Sequence, residues 1–258
     1  MPPVVPDEIP ETTPDPVVPP VKPVAQTATE EKKRMFNEKV KKLCTQRFLP
    51  KSITADEVKE LFDLWHDGVI DGKNADAVAD VLKTVILNGV FKNEPKTLKD
   101  YITQFITACP NDKQEAVAEV LTAAIESDKF DENWLNVRIS EFINAYDKND
   151  DDDHNLTIVL ILTKAIEKDL DIKYLGNLKN RIPKFITFCL NKKEDIAANA
   201  SLITGVLSVA IKNNLLNQEL HSQVQQIYAK LEQRRLYFID NEEQIRIKEW
   251  LNTYKTTV

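Results

Sequence analysis

Glycine is scarce in this chain of 258 residues. It occurs 5 times, whereas an average usage of about 7% would give roughly 18. Phosphate-binding loops, dinucleotide-binding turns and tight β-hairpins depend on glycine for positive φ or for close backbone approach. The shortage therefore argues against nucleotide-binding α/β folds and against folds rich in β-hairpins.

Side chains with the chemistry of catalysis or metal binding are also few. The three cysteines lie far apart and form no CxxC pair: Cys44, Cys109 and Cys189. The three histidines show no nucleophile or metal-ligand spacing: His66, His154 and His221. Structural zinc needs closely spaced Cys and His ligands, and reduced cysteines pack as small buried hydrophobes. We therefore predict that the protein has no enzyme activity, no cofactor and no metal site. The cysteines also fit a reducing compartment.

One acidic segment, residues 147–155, partly matches a calcium-binding loop. Oxygen ligands stand at alternate positions: Asp147, Asn149, Asp151 and Asp153. A complete EF-hand loop has Gly at its sixth position and Glu at its twelfth, where this chain has Asp152 and Ile158. A solvated loop between helices is the favoured interpretation, and weak binding of a cation or a basic partner stays open.

Long apolar runs are absent as well. The longest uncharged stretch, residues 196–211, contains Asn199, Ser201 and Thr204 and is shorter than the ~20 residues that a bilayer span needs. Residues 1–28 have neither the basic nor the apolar region of a secretory signal. We predict a soluble protein without membrane contact, in the cytoplasm or nucleus, with the cytoplasm favoured.

Proline, in contrast, is concentrated at one end, where nine of the 13 prolines precede residue 24. Proline fixes φ and removes a backbone donor, so residues 1–30 are predicted to form a disordered, partly polyproline II arm. Two PxxP motifs, Pro3–Pro6 and Pro16–Pro19, suit an aromatic groove, but no Lys or Arg flanks them at the usual positions. We favour a solvated tail or linker, followed by a folded domain over residues 31–258.

Two apolar patterns alternate along the rest of the chain. The first recurs in residues 77–86, 116–125, 157–166 and 202–211, and its final isoleucines are 39, 41 and 45 residues apart. The second occurs in residues 58–65, 102–109, 139–146, 182–189 and, more loosely, 224–231. In both patterns apolar residues fall at i, i+3, i+4 and i+7, which indicates amphipathic helices with one buried stripe.

This alternation predicts about eleven helices in antiparallel pairs of ~40 residues, the period of HEAT-type repeats. Each pair has two apolar faces and must stack on its neighbours to bury both. We therefore predict an all-α fold, a right-handed helical-hairpin solenoid of the HEAT or armadillo kind, behind the disordered Pro-rich arm. The first helix, expected at residues 31–48, and the last, expected at residues 241–253, should cap its ends.

Local signals suggest where several helices begin. A capping acceptor stands three residues before Glu or Gln in three segments, 54–57, 112–115 and 241–244. We thus expect Thr54, Asp112 and Asn241 at helix N-termini. Pro183, inside the second pattern, is expected in the first turn of its helix, where a missing N–H costs little.

One arrangement within these helices is typical of a known family. The residues concerned are Ala124-Ile125, Phe130 and Phe142, with their counterparts Ala165-Ile166 and Phe185. Over residues 36–236 the chain resembles the middle domain of translation initiation factor 4G, which is also found in decay and cap-binding factors. The resemblance implies a HEAT-like solenoid whose surface binds a DEAD-box helicase, other initiation factors or RNA.

Two groups of basic residues are the candidate partner-binding sites. The first lies in the first helix, outside its apolar stripe, and includes Lys39 and Lys42. The second belongs to the fourth helical pair and its continuation: Lys179, Arg181, Lys184, Arg234 and Arg235. Equivalent helices of successive repeats line up on one surface of a solenoid, so the second group predicts a positive stripe. A solvated face without a partner is the alternative for both groups.

The overall charge limits the choice of partner. With a net charge of -7 and a pI of about 5.2, the field of the whole chain does not steer it onto nucleic acid, and DNA is not expected. The favoured function is a non-enzymatic protein-interaction scaffold in mRNA translation or turnover, with a DEAD-box helicase or a translation factor as partner. An RNA-binding module and a general HEAT-type adaptor outside RNA biology stay open as alternatives.

Overall fold

Every regular element of the described residues is helical. The computed structural model describes residues 24–46, 53–65, 68–146, 152–171, 173–191, 200–233 and 241–253. Within them lie eleven α-helices: α1 (Val24–Gln46), α2 (Ala55–Asp63), α3 (Ala75–Asn88), α4 (Pro95–Ala108), α5 (Gln114–Glu126), α6 (Glu132–Tyr146), α7 (Asp152–Glu167), α8 (Lys173–Asn191), α9 (Ala200–Lys212), α10 (His221–Gln233) and α11 (Asn241–Thr253). Two short 3-10 helices, Asn111–Lys113 and Gln218–Leu220, precede α5 and α10. The prediction of an all-α chain is confirmed for these residues.

The two apolar patterns occupy alternate helices. The first falls on α3, α5, α7 and α9, and the second on α2, α4, α6, α8 and α10. The last helix, α11, has the expected bounds, whereas α1 begins at Val24 rather than at Glu31. Ala25, Gln26 and Ala28 are good helix formers, so α1 extends back to the last proline of the arm. The prediction of a disordered arm is therefore wrong for residues 24–30, which are helical. Residues 1–23 lie outside the described residues, and disorder there stays a prediction.

The helix-start signals hold for α2 and fail for α5. The Thr54 hydroxyl accepts a hydrogen bond from the Glu57 amide at 3.3 Å, and the Glu57 carboxylate accepts one from the Thr54 amide at 3.1 Å. The prediction that Asp112 caps α5 is wrong. The 3-10 turn Asn111–Lys113 includes Asp112, and α5 begins at Gln114 without a side-chain cap.

The prediction for Pro183 is also wrong, because this residue lies inside α8 rather than in its first turn. The helix begins at Lys173, since the residues before Pro183 already carry a buried stripe of Tyr174, Leu178 and Ile182. A proline inside a helix leaves the carbonyl four residues earlier without its donor. Pro183 lies on the exposed face of α8, where water can satisfy that carbonyl.

The odd-numbered helices form a continuous row. Each contacts the next odd-numbered helix, from α1 through α3, α5, α7 and α9 to α11. The even-numbered helices pack beside this row: α6 contacts α5 and α7, and α8 contacts α7 and α9. Because α5 has neighbours on several sides, nine of its 13 residues are buried.

Ion pairs connect helices, or the turns beside them, that are two positions apart in this order. They are Lys59–Glu94 (2.8 Å), Lys113–Asp76 (2.6 Å), Lys83–Glu119 (3.3 Å), Lys168–Asp128 (2.7 Å) and Lys99–Asp131. Their partners are separated by 32 to 40 residues in the sequence. This interval is close to the 39, 41 and 45 residues of the repeated pattern, so the repeat seen in the sequence is also a repeat of contacts in space.

Candidate interaction surfaces

The first predicted basic group, on α1, meets carboxylates of the same chain. Lys39 forms an ion pair with Glu60, and Lys42 Nζ lies 3.4 Å from Glu57 Oε1. Four of the nine residues of α2 are acidic, so α2 presents negative charge to this side of α1. The charges of Lys39 and Lys42 are therefore partly compensated, and their binding to another molecule stays a prediction.

The second predicted basic group is concentrated on α8, which has four basic residues and no acidic residue. The side chains of Lys179 and Lys184 are exposed. Arg181 is half-buried, and its Nη1 donates a hydrogen bond to Asn155 Oδ1 at 3.2 Å. Asn155 is buried on α7, so Arg181 connects α8 to α7 while the two lysines present positive charge to solvent.

Several sequence predictions fall outside the described residues. Arg234 and Arg235 lie in the segment 234–240, so their proposed continuation of the basic stripe stays a prediction. Residues 147–151, the first part of the acidic segment, are likewise not described. In the part of the chain that is described, no three His, Cys, Asp or Glu side chains form a potential metal cluster. None of the described helices is long and apolar enough to cross a membrane.

An open groove of about 360 Å³ crosses the row of odd-numbered helices over α5. Its apolar lining comes from four helices: Leu87, Ala118, Ala123, Leu156, Leu160 and Leu202. Its charged lining is mostly acidic: Glu115, Glu119, Glu126 and Lys83. Leu87 on α3 is 52% exposed, so the groove offers an apolar surface that the described residues leave uncovered.

The groove exists because α5 presents short side chains between longer ones. Ala118, Thr122 and Ala123 form its lining on α5, while leucines on α3 and α7 rise on either side. Lysines on these neighbouring helices reach two of the α5 carboxylates: Lys83 Nζ lies 3.3 Å from Glu119, and Lys164 Nζ lies 3.3 Å from Glu126. We refer to this feature as the α5 groove, defined by its lining residues.

A second, more polar hollow of about 280 Å³ continues the α5 groove towards the N-termini of α3 and α5. The two hollows share Glu115 and Glu119. Its charged lining residues are Asp76, Asp80, Asp112, Glu115, Glu119 and Lys113. Hydrogen bonding to Asp76 raises the pKa of Lys113, so this lysine stays cationic and offsets part of the negative charge.

The α5 groove was not among the sequence predictions. Its acidic rim was visible as Glu115, Glu119 and Glu126, which recur at i, i+4 and i+11 on one face of a helix. Its apolar wall was visible as Leu156 and Leu160, one turn apart. What the sequence did not show was that these two features lie side by side on neighbouring helices.

The cysteines are not part of any of these surfaces. Cys109 and Cys189 are buried, and burial raises the pKa of each thiol to about 12. Both therefore remain neutral thiols at physiological pH and are poor nucleophiles. Cys44 is half-buried, with its Sγ 3.3 Å from the Ala77 carbonyl oxygen. The prediction that the cysteines are buried is confirmed for Cys109 and Cys189.

Comparison with known proteins adds no relative. No protein-family model matches the chain, and no curated protein or solved structure matches it. The resemblance to the middle domain of initiation factor 4G therefore stays a prediction. Its residues lie in the core: Ala124, Ile125, Phe130, Phe142, Ala165 and Phe185 are buried, and Ile166 is partly buried.

Proposed function

We propose that the protein is a non-enzymatic interaction scaffold, built as a right-handed HEAT-like solenoid of helical hairpins. The observation that carries this proposal is the row of odd-numbered helices, in which each helix contacts the one two positions further along the chain. Ion pairs at intervals of 32 to 40 residues accompany these contacts. Stacked units that touch mainly their neighbours are the defining property of solenoid proteins.

A solenoid supports scaffolding because its repeats form extended surfaces on rigid helices. Two such surfaces of opposite charge are present here. The α5 groove has carboxylates along its rim, and α8 presents Lys179 and Lys184 to solvent. A chain with two differently charged surfaces can hold two partners of different chemistry.

The role in mRNA translation or turnover comes from the resemblance to the middle domain of initiation factor 4G. On this proposal a DEAD-box helicase or another translation factor docks on the basic face of α8. The residues of the resemblance support the fold, since they belong to the core, and α8 supplies the charged surface. Because α8 has no carboxylate, its field is not cancelled within its own helix.

Capture of a purified DEAD-box helicase by the full chain tests this proposal. We expect capture by the wild type and at least about tenfold less by the Lys179→Glu/Lys184→Glu variant, because two attractive charges become repulsive. Lys92→Glu/Lys96→Glu is the matched control, since both lysines are exposed and lie near the start of α4. Absence of capture by the wild type, or an equal loss in the control, would contradict the helicase proposal.

RNA binding is a second candidate function, favoured by the four basic residues of α8 and by the absence of a carboxylate within this helix. Contacts between lysines and phosphates release counterions, so the affinity for RNA should fall steeply with salt. A labelled single-stranded RNA should shift in a gel at about 50 mM salt and lose the shift at about 200 mM. No shift at the lower salt concentration, or a shift unaffected by Lys179→Glu/Lys184→Glu, would exclude α8 as an RNA site.

A further inference from the structure

The α5 groove allows an inference that deepens the scaffold proposal and rests on it. We propose that this groove binds a basic amphipathic helix of a partner protein. The partner helix would insert a few apolar side chains between α3 and α7 and would place Lys or Arg side chains on the carboxylates of α5.

The size and lining of the groove favour an amphipathic helix. A volume of about 360 Å³ is at the lower end of ligand pockets, so it accepts a few side chains rather than a whole helix of ~10 Å diameter. Its walls are leucines of α3 and α7, and its floor consists of small side chains of α5. A helix docked in such a groove uses anchors at i, i+3 or i+4, and i+7.

The negative charge of the groove determines the sign of the charge that a partner must carry. The lining of the two connected hollows has six carboxylates, Asp76, Asp80, Asp112, Glu115, Glu119 and Glu126, and two lysines, Lys83 and Lys113. Lys164 also reaches Glu126, so carboxylates still outnumber lysines by six to three. Glu115 is exposed and takes part in no ion pair within the described part of the chain. Phosphate groups of RNA or anionic lipid would be repelled by this surface, whereas a Lys- or Arg-rich segment would be attracted.

Two other occupants fit the groove less well. Residues 1–23 of the same chain carry four carboxylates and one lysine, so this segment has the wrong charge. In a second copy of the chain, α8 has the right charge, but the exposed residues between its lysines are Gly176, Asn177, Asn180 and Pro183, none of which has a long apolar side chain. It therefore lacks the apolar anchors that Leu87, Leu156 and Leu160 would contact.

The probe for the experiment is a fluorescein-labelled model peptide of about 16 residues, long enough to form a helix when bound. It has Leu on one face, Lys on both flanks of that face and Ala elsewhere. Fluorescence anisotropy with the full chain gives its Kd. A second peptide with Glu in place of every Lys tests the charge requirement, and it should bind at least about tenfold more weakly.

Two groove variants, each with a matched control on α11, locate the site. Glu115→Lys reverses an exposed charge at the rim, and Glu249→Lys makes the same change on α11. Leu87→Gln removes an apolar anchor, and Ile245→Gln is its match because both side chains are 52% exposed. We expect each groove variant to weaken binding about fivefold or more and each control to stay within about twofold of the wild type.

Each outcome decides the proposal. Binding that both groove variants weaken, and neither control does, supports the groove as the site. Absence of binding by the wild type at about 1 mM protein, or binding that Glu115→Lys and Leu87→Gln leave unchanged, overturns it. Sedimentation of the chain alone tests whether a second copy occupies the groove. A dimer that the Glu115→Lys substitution dissociates would show that a second copy, and not a partner helix, binds there, and it would overturn the proposal.

The scaffold proposal and the groove proposal fail separately. If the peptide does not bind but α8-dependent capture of a helicase succeeds, the groove is not a site and the scaffold stands. If the peptide binds as expected and no helicase is captured, the groove stands and the translation partner is wrong.

Discussion

The helices α5 and α8 carry opposite charge on the same architecture. Three carboxylates and no basic residue belong to α5, whereas α8 has four basic residues and no carboxylate. Lysines of α3 and α7 reach two of the α5 carboxylates, while Lys179 and Lys184 of α8 point to solvent. The net charge of -7 hides this division, so the average charge of a chain is a poor guide to what its separate surfaces bind.

The largest effect on the free energy of unfolding should come from truncating buried side chains, which both α5 and α8 contribute to the core. Leu121 of α5 and Phe185 of α8 are both fully buried. We expect Leu121→Ala to lower the free energy of unfolding by about 3 kcal/mol and Phe185→Ala by about 4 kcal/mol, because each leaves a cavity. Urea denaturation measures both. Leu87→Ala, at the exposed edge of the groove, should cost less than about 0.5 kcal/mol, and a loss as large as that of Leu121→Ala would contradict the packing described here.

An intermediate effect should separate the roles of the basic residues on α8. Arg181→Leu removes the hydrogen bond to the buried Asn155 and should lower the free energy of unfolding by about 1–2 kcal/mol, because it leaves a buried amide oxygen without this donor. Lys179→Leu, in contrast, should change the free energy of unfolding by less than about 0.5 kcal/mol. Equal losses in urea denaturation would show that Arg181 is a surface residue like Lys179.

A smaller effect concerns the pH dependence of the ion pairs between helices, or the turns beside them, that are two positions apart in the chain. The hydrogen bond from Lys99 lowers the pKa of Asp131 below its usual 3.8, and that from Lys59 lowers the pKa of Glu94 below its usual 4.5. A carboxyl with a lowered pKa in the folded state stabilises the fold above its unfolded pKa, and this contribution is lost as the pH falls through the folded pKa. The free energy of unfolding should therefore fall below about pH 4.

The matching experiment uses Asp131→Asn and urea denaturation at about pH 7 and about pH 3. At neutral pH the variant should be less stable by no more than about 1 kcal/mol, since the Asp131 side chain is 56% exposed and exposed ion pairs contribute little. The decrease in its free energy of unfolding between about pH 7 and about pH 3 should be smaller than that of the wild type, because one of the titrating carboxyls is gone. Glu249→Gln on α11 is the control. If this control reduces the loss of stability at low pH as much as Asp131→Asn does, the attribution of that loss to Asp131 is contradicted.

The order of the helices could be predicted from the sequence because it depends on local periodicity. Apolar residues at helical spacing indicate a buried stripe wherever that stripe packs. Helix-start signals were less reliable. Thr54 caps α2, but Asp112 lies in a 3-10 turn before α5, and Pro183 lies inside α8 rather than in its first turn. At Pro183 the buried stripe of α8 outweighs the local preference of proline for a first turn.

The candidate sites were harder to predict because they depend on which helices become neighbours. The sequence predicts a basic face at Lys39 and Lys42, but in the structure Glu60 and Glu57 of α2 lie beside these lysines. The α5 groove needs α3, α5, α7 and α9 side by side, and no single segment contains enough of it to be recognised. Of the predicted basic residues, Lys179, Arg181 and Lys184 lie on a helix that has no carboxylate of its own, and this is visible in the sequence.

Titration of the basic model peptide against three proteins tests the separation of the two surfaces most directly: the wild type, Glu115→Lys and Lys179→Glu/Lys184→Glu. If the groove is the site, Glu115→Lys weakens binding about fivefold or more, and the α8 variant keeps the wild-type Kd within about twofold. If the net charge of the chain governed binding, the α8 variant, which makes the chain more acidic, would bind the peptide much more tightly than the wild type. That result would contradict the account.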